Sequence, residues 1–137
     1  MIVRITKITA AFAGFLLLSI VSTSSVADTI DSETAIKALI GKTWVGRNQQ
    51  GDDYWFWHEQ GDGSGDFGAK FESSSKGVRV HHGRWEVTDD SVCWHWPDWN
   101  KIYCYVKFEL DGQKLDMTRS DGLVHSGTLV EGNTEGL

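Results

Sequence analysis

From Gly41 onward apolar and polar residues alternate in short runs, and clusters of Gly, Asp, Ser and Asn separate the runs. Alternation with period two sends successive side chains to opposite faces of a strand. The pattern predicts eight strands, near Thr43–Arg47, Tyr54–Glu59, Asp66–Glu72, Val78–Val87, Ser91–Trp96, Ile102–Glu109, Gln113–Arg119 and Leu123–Val130. Asp111-Gly112 and Asp121-Gly122 are two-residue hairpin signals, because such turns need positive φ. Consecutive hairpins make an antiparallel meander, and one this long removes its exposed edges by closing into a barrel. The expected fold is therefore all-β, a small barrel of about eight strands.

A different periodicity precedes it. Between Asp28 and Ile40, Asp31 or Ser32 can cap a helix, Ile36, Leu39 and Ile40 share one face, and Gly41 can end it in a left-handed conformation. A helix of two or three turns with that face should plug one barrel end and shield Trp44, pointing inward from the first strand. Earlier still, Arg4 and Lys7 lead into the apolar run Ala10 to Val21, and Ser25-Val26-Ala27 offers small residues to a signal peptidase. Residues 1–27 thus read as a secretory signal peptide, too short in its apolar part to span a membrane. Residues 28–137 form a single β-barrel-like domain, with no membrane insertion expected after cleavage.

Charge narrows the partners. Arg4 and Lys7 are the only charges in residues 1–27, leaving 11 basic against 19 acidic residues in the domain, a net charge of −8. That balance argues against nucleic acid, which needs a basic footprint. All seven tryptophans fall in the domain. Tyr54-Trp55-Phe56-Trp57 puts rings on both faces of one strand, and Trp94, Trp96 and Trp99 surround a hairpin tip beside Tyr103. Since one face of a meander strand meets the core, these rings either fill the core, line an interior cavity, cover a barrel mouth or stand exposed. Trp55, Trp57, Trp94, Trp96, Trp99 and Tyr103 are the candidate ligand-binding residues.

Cys93 and Cys104 are the only cysteines, and in an oxidising compartment they are expected to pair. Placed opposite each other, they set His95 against Ile102 and leave Pro97–Asn100 as the loop. The neighbouring turns disagree on faces. Asp89-Asp90 pairs Trp85 with Trp94 and turns Cys93 outward. Asp111-Gly112 pairs Phe108 with Leu115 and Val106 with Met117, which turns Cys104 inward. A bulge between Trp94 and Tyr103, or a diagonal disulfide, would absorb the slip.

Other chemistry is sparse. His81 and His82 point to opposite faces, while His58, His95 and His125 lie on different strands without metal-ligand spacing, so the histidines read as surface residues and no metal or cofactor is expected. Gly61-Asp62-Gly63-Ser64-Gly65-Asp66 resembles a single unit of the glycine/aspartate calcium repeats, which need several, and reads as a turn. No catalytic set emerges.

The run Leu39-Ile40-Gly41-Lys42-Thr43-Trp44-Val45-Gly46, with Gly83-Arg84-Trp85, Val92-Cys93-Trp94-His95-Trp96 and Tyr103-Cys104-Tyr105-Val106, resembles a group of small exported proteobacterial β proteins without an assigned activity. The resemblance spans most of residues 38–132 and implies a periplasmic or secreted protein of a Gram-negative bacterium. The helix followed by Gly and Trp is also similar to the opening of lipocalins, although Gly-x-x-Trp replaces their Gly-x-Trp. The expectation is a non-enzymatic binding protein for a small apolar or amphipathic ligand or an envelope protein partner. The alternatives are a carbohydrate-binding module using exposed tryptophans and an envelope hydrolase with a histidine–carboxylate site.

Overall fold

The structure, a computed structural model, describes residues 26–137. The signal peptide expected over residues 1–27 lies almost wholly outside them. A short strand β1 (Asp28–Ile30) leads into helix α1 (Ser32–Leu39). Eight strands then follow: β2 (Lys42–Arg47), β3 (Asp53–His58), β4 (Ser64–Ser73), β5 (Gly77–Val87), β6 (Val92–Trp96), β7 (Lys101–Asp111), β8 (Lys114–Arg119) and β9 (Val124–Glu131). Each pairs antiparallel with the next, and β9 returns to pair with β2. This is the closed antiparallel meander expected from the alternation. No helix among the described residues is long and apolar enough to cross a membrane.

Helix α1 closes one end. The Asp31 carboxylate accepts from the Thr34 amide at 2.8 Å, satisfying an orphan donor of the first turn. Gly41, at φ +79°, turns the chain into β2. Ala35, Ile36 and Leu39 are buried, and the helix packs against β2, β5, β6 and β7. Trp44 is buried behind it, with its indole N–H donating to the Leu115 carbonyl at 3.1 Å. The ring crosses Gly127, where a Cβ would come 2.5 Å from Trp44 Nε1, so β9 carries glycine there to make room for the indole. β1, unforeseen in the sequence, pairs with β7 through Thr29 and Glu109, beyond the reach of β6. Three residues are too few to show alternation.

Cys93 and Cys104 form a disulfide, directly opposite each other with Cα atoms 4.0 Å apart. Trp94 faces Tyr103 and His95 faces Ile102 in unbroken register, so neither a bulge at that level nor a diagonal bridge is needed. The change of face occurs farther along β7. The register with β8 shifts between Tyr105 and Lys107, leaving Val106 as the extra, exposed residue. Phe108 pairs with Met117 and Leu110 with Leu115, two positions from the expected register, because the turn is centred on Gly112-Gln113 and not on Asp111-Gly112. Thus Tyr103 and Tyr105 face inward before the bulge, and Phe108 and Leu110 after it.

Candidate functional site: an aromatic cavity in the barrel

Hairpin geometry decides which rings turn inward. Trp44 is inside and pairs with Phe56, so Tyr54, Phe56 and His58 of β3 share its face. Trp55 and Trp57 therefore lie on the outer surface and do not line the cavity. The Lys70 ammonium sits 4.7 Å from the Trp55 ring centroid, and Trp57 donates to the Glu59 carboxylate at 2.9 Å. The other four candidates, Trp94, Trp96, Trp99 and Tyr103, border one cavity of about 360 Å³ at the end away from α1.

The inner part of this cavity is formed by Trp44, His58, Trp94 and Met117. Tyr54, Phe56, Trp96 and Tyr105 continue the walls, and Phe71, Trp99, Tyr103 and Leu123 stand nearer the mouth with Asn48, Gln50 and Arg119. Ring contacts hold the wall together. Trp96 and Trp99 stack with centroids 4.7 Å apart, and Phe56 meets Trp96 edge-on at 5.8 Å. Trp99 is 44% exposed, whereas Trp94 and Trp96 are 3% and 6% exposed. The three form no flat outer row; only Trp99 reaches solvent. It sits 4.6 Å from the His81 ring, which Asp98 holds by a 2.7 Å contact to Nδ1.

The polar groups inside are few and mostly committed. The Tyr54 hydroxyl donates to the Ser126 carbonyl at 2.5 Å. Trp94 Nε1–H donates to His58 Nε2 at 2.8 Å. An indole N–H can only donate, so Nε2 accepts and the neutral His58 ring carries its proton on Nδ1. Burial lowers the His58 pKa to about 3, keeping it neutral at ordinary pH. Tyr105 and His125 Nδ1 are 2.7 Å apart. Burial raises the phenol pKa of Tyr105 and lowers the imidazole pKa of His125, so the contact joins a neutral hydroxyl and a neutral ring. At the mouth Asp121 grips Arg119 through two contacts of 2.8 and 2.6 Å, which hold the carboxyl pKa down to about 2. The guanidinium lies 4.7 Å from the Tyr103 ring centroid.

His58 departs from the expectation of surface histidines, for it is 1% exposed. His125 is half-buried and His81 faces the mouth. Tyr54, Phe56, Phe71 and Tyr105 also belong to the cavity and were not among the sequence candidates. Among the described residues no group of three or more His, Cys, Asp or Glu side chains is placed to hold a metal ion. No protein-family model, curated protein or solved structure matches the chain.

Proposed function

We propose that this protein binds one small, mostly apolar, ring-containing ligand inside the barrel, in a non-enzymatic role. The supporting observation is the cavity itself: about 360 Å³, walled by aromatic rings and open beside Trp99. Ligand sites are typically concave, apolar and equipped with a few placed polar groups, at volumes from roughly 300 Å³ upward. The seat of action is the periplasm or the extracellular space. The Cys93–Cys104 disulfide fits an oxidising compartment, and residues 1–27 carry an export pattern.

A sugar-binding platform draws less support, since the barrel interior takes Trp94 and Trp96. A hydrolase would use His81–Asp98, at 2.7 Å, or His95–Glu86, at 3.5 Å. Among the described residues neither imidazole is hydrogen-bonded to a hydroxyl or thiol. The test is titration of the tryptophan emission with fused-ring aromatics, lipids, haem-like molecules and glycans. A saturable change with a small aromatic or amphipathic compound, weakened by Trp99→Ala, is expected. Unchanged emission across all four classes would overturn the reading.

A further inference from the structure

The inner face of β8 carries one residue that the alternation of a barrel wall does not call for. Leu115 and Met117 point inward and are buried. Two residues on, Arg119 takes the next inward position, opposite Tyr105 of β7. Its side chain lines the cavity and remains 21% exposed, so a molecule entering the mouth can reach it. Of the residues bordering the cavity, Arg119 alone is charged at neutral pH, and none is an Asp or a Glu. Asp52 and Asp98, beside the opening, are engaged by Arg79 and His81, each at 2.7 Å.

Asp121 holds Arg119 without exhausting it. The Asp121 carboxylate accepts from Nε–H and Nη2–H at 2.8 and 2.6 Å; it is 57% exposed and does not border the cavity. A guanidinium has five N–H donors, so this grip leaves three. The Tyr103 ring, with its centroid 4.7 Å away, steadies the same group. A side chain clamped in this way loses little freedom when a second acceptor docks on it. The fork of a guanidinium matches the two oxygens of a carboxylate. Deeper in, the wall consists of neutral rings and the Met117 thioether. An ion seated there would be desolvated with no opposite charge to offset the cost.

We infer that the ligand is a ring compound with a carboxylate head. The rings lie inside the barrel, and the head stays at the mouth, where it takes the remaining N–H groups of Arg119. Arg119 is then the specificity-determining residue, selecting an aromatic acid over a neutral or cationic compound of the same shape. This rests on the cavity being a ligand site. The acidic balance of the domain does not oppose it, because physiological salt screens that field within about 8 Å, whereas the contact with Arg119 is made at hydrogen-bond range.

Three compounds on one frame test it: 2-naphthoate, 2-naphthamide and 2-naphthylmethylammonium, titrated calorimetrically at neutral pH, where only the first is an anion. 2-Naphthoate should bind roughly tenfold to a hundredfold tighter than the amide, the range expected for a hydrogen bond to a charged group, and the ammonium should bind weakest. Added salt should weaken binding of the acid and leave that of the amide unchanged. Arg119→Gln should bring acid and amide within about threefold of each other while the amide keeps its affinity. Should that variant not fold, the wild-type ranking and its salt dependence decide. Equal binding of acid and amide, a preference for the ammonium, or an acid preference that survives Arg119→Gln overturns the role of Arg119 and leaves an apolar binding cavity in place. Binding of none of the three overturns the cavity reading and this inference together.

Discussion

Acid should unfold this protein, and His58 should account for much of the effect. The folded state holds the ring neutral with a pKa of about 3, against 6.5 for an unperturbed imidazole. Between those values the unfolded chain binds a proton that the folded chain refuses, so stability rises with pH across the window and falls as pH drops. Above the upper value both states are neutral and the dependence vanishes. Within the window the slope is about 1.4 kcal/mol per pH unit. At about pH 4.5, two units below the unfolded value, the loss is about 3 kcal/mol, a large part of the 5–15 kcal/mol typical of a domain. His125, also shifted down by burial, acts in the same direction, and so does Asp121 at lower pH. Urea unfolding with the disulfide intact, followed by tryptophan emission at neutral pH and at about pH 4.5, measures the loss. His58→Gln keeps an acceptor for Trp94 Nε1 but does not titrate. It will be less stable overall, yet its stability should depend on pH about 3 kcal/mol less than that of wild type. Parallel pH dependence in the two proteins would refute the assignment of a buried, neutral His58.

Removing Trp44, by Trp44→Ala, should cost about 3–5 kcal/mol in urea unfolding, since it empties a buried indole site and removes a donor to the Leu115 carbonyl; a wild-type midpoint would exclude its place behind α1. Reducing Cys93–Cys104, which closes a loop of sequence separation 11, should cost about 3 kcal/mol, read as a lower melting temperature with reductant. Two free thiols in unreduced peptides would contradict the bridge itself. Trp99→Ala should change stability by less than about 1 kcal/mol yet weaken ligand binding several-fold through the lost ring contact, and isothermal titration would separate the two. Deleting Val106 should leave a folded protein by circular dichroism, because Tyr105↔Arg119 then runs directly into Lys107↔Thr118 and plain alternation keeps Tyr103, Tyr105, Phe108 and Leu110 on the inner face. An unfolded deletion variant would show that the bulge itself is required.

The strands and the helix were legible because their signals are local. Alternation of period two marks β2 to β9, and Asp31, Ile36, Leu39 and Gly41 mark α1. The Cys93–Cys104 register was legible too, since two opposed cysteines and a four-residue loop fix a hairpin by arithmetic alone. The conflict of faces along β7 was real, but its place was not readable. A bulge goes where the ladder tolerates an unpaired residue, and Val106, exposed between two charged or aromatic neighbours, gives no local sign of being that residue. The β7–β8 turn shows the same limit. Asp-Gly favours a turn at Asp111, yet Gly112 at φ +60° serves as well when the turn moves on by one residue, and the packing of Phe108 against Met117 decides between them.

The site was legible in part, and the missing part depended on one parity. In Tyr54-Trp55-Phe56-Trp57 the larger rings draw attention, although size says nothing about which face is inside. Trp44 settles it. Placing Trp44 inward at one end of a hairpin whose pairs sum to 100 sets it against Phe56, and Tyr54 and His58 follow on the same face. That chain of inference needs only the helix, Gly41 and the symmetry of one turn, and all of these are in the sequence. What no strand pattern reveals is the bond from Trp94 to His58, because 36 residues separate them and only closure of the sheet brings β6 across from β3. The same closure turns an alternating pattern into an enclosed wall, and one ring nitrogen on that wall into a donor without a partner. The fold was written in local periodicity, whereas the chemistry lies in a contact made across the barrel.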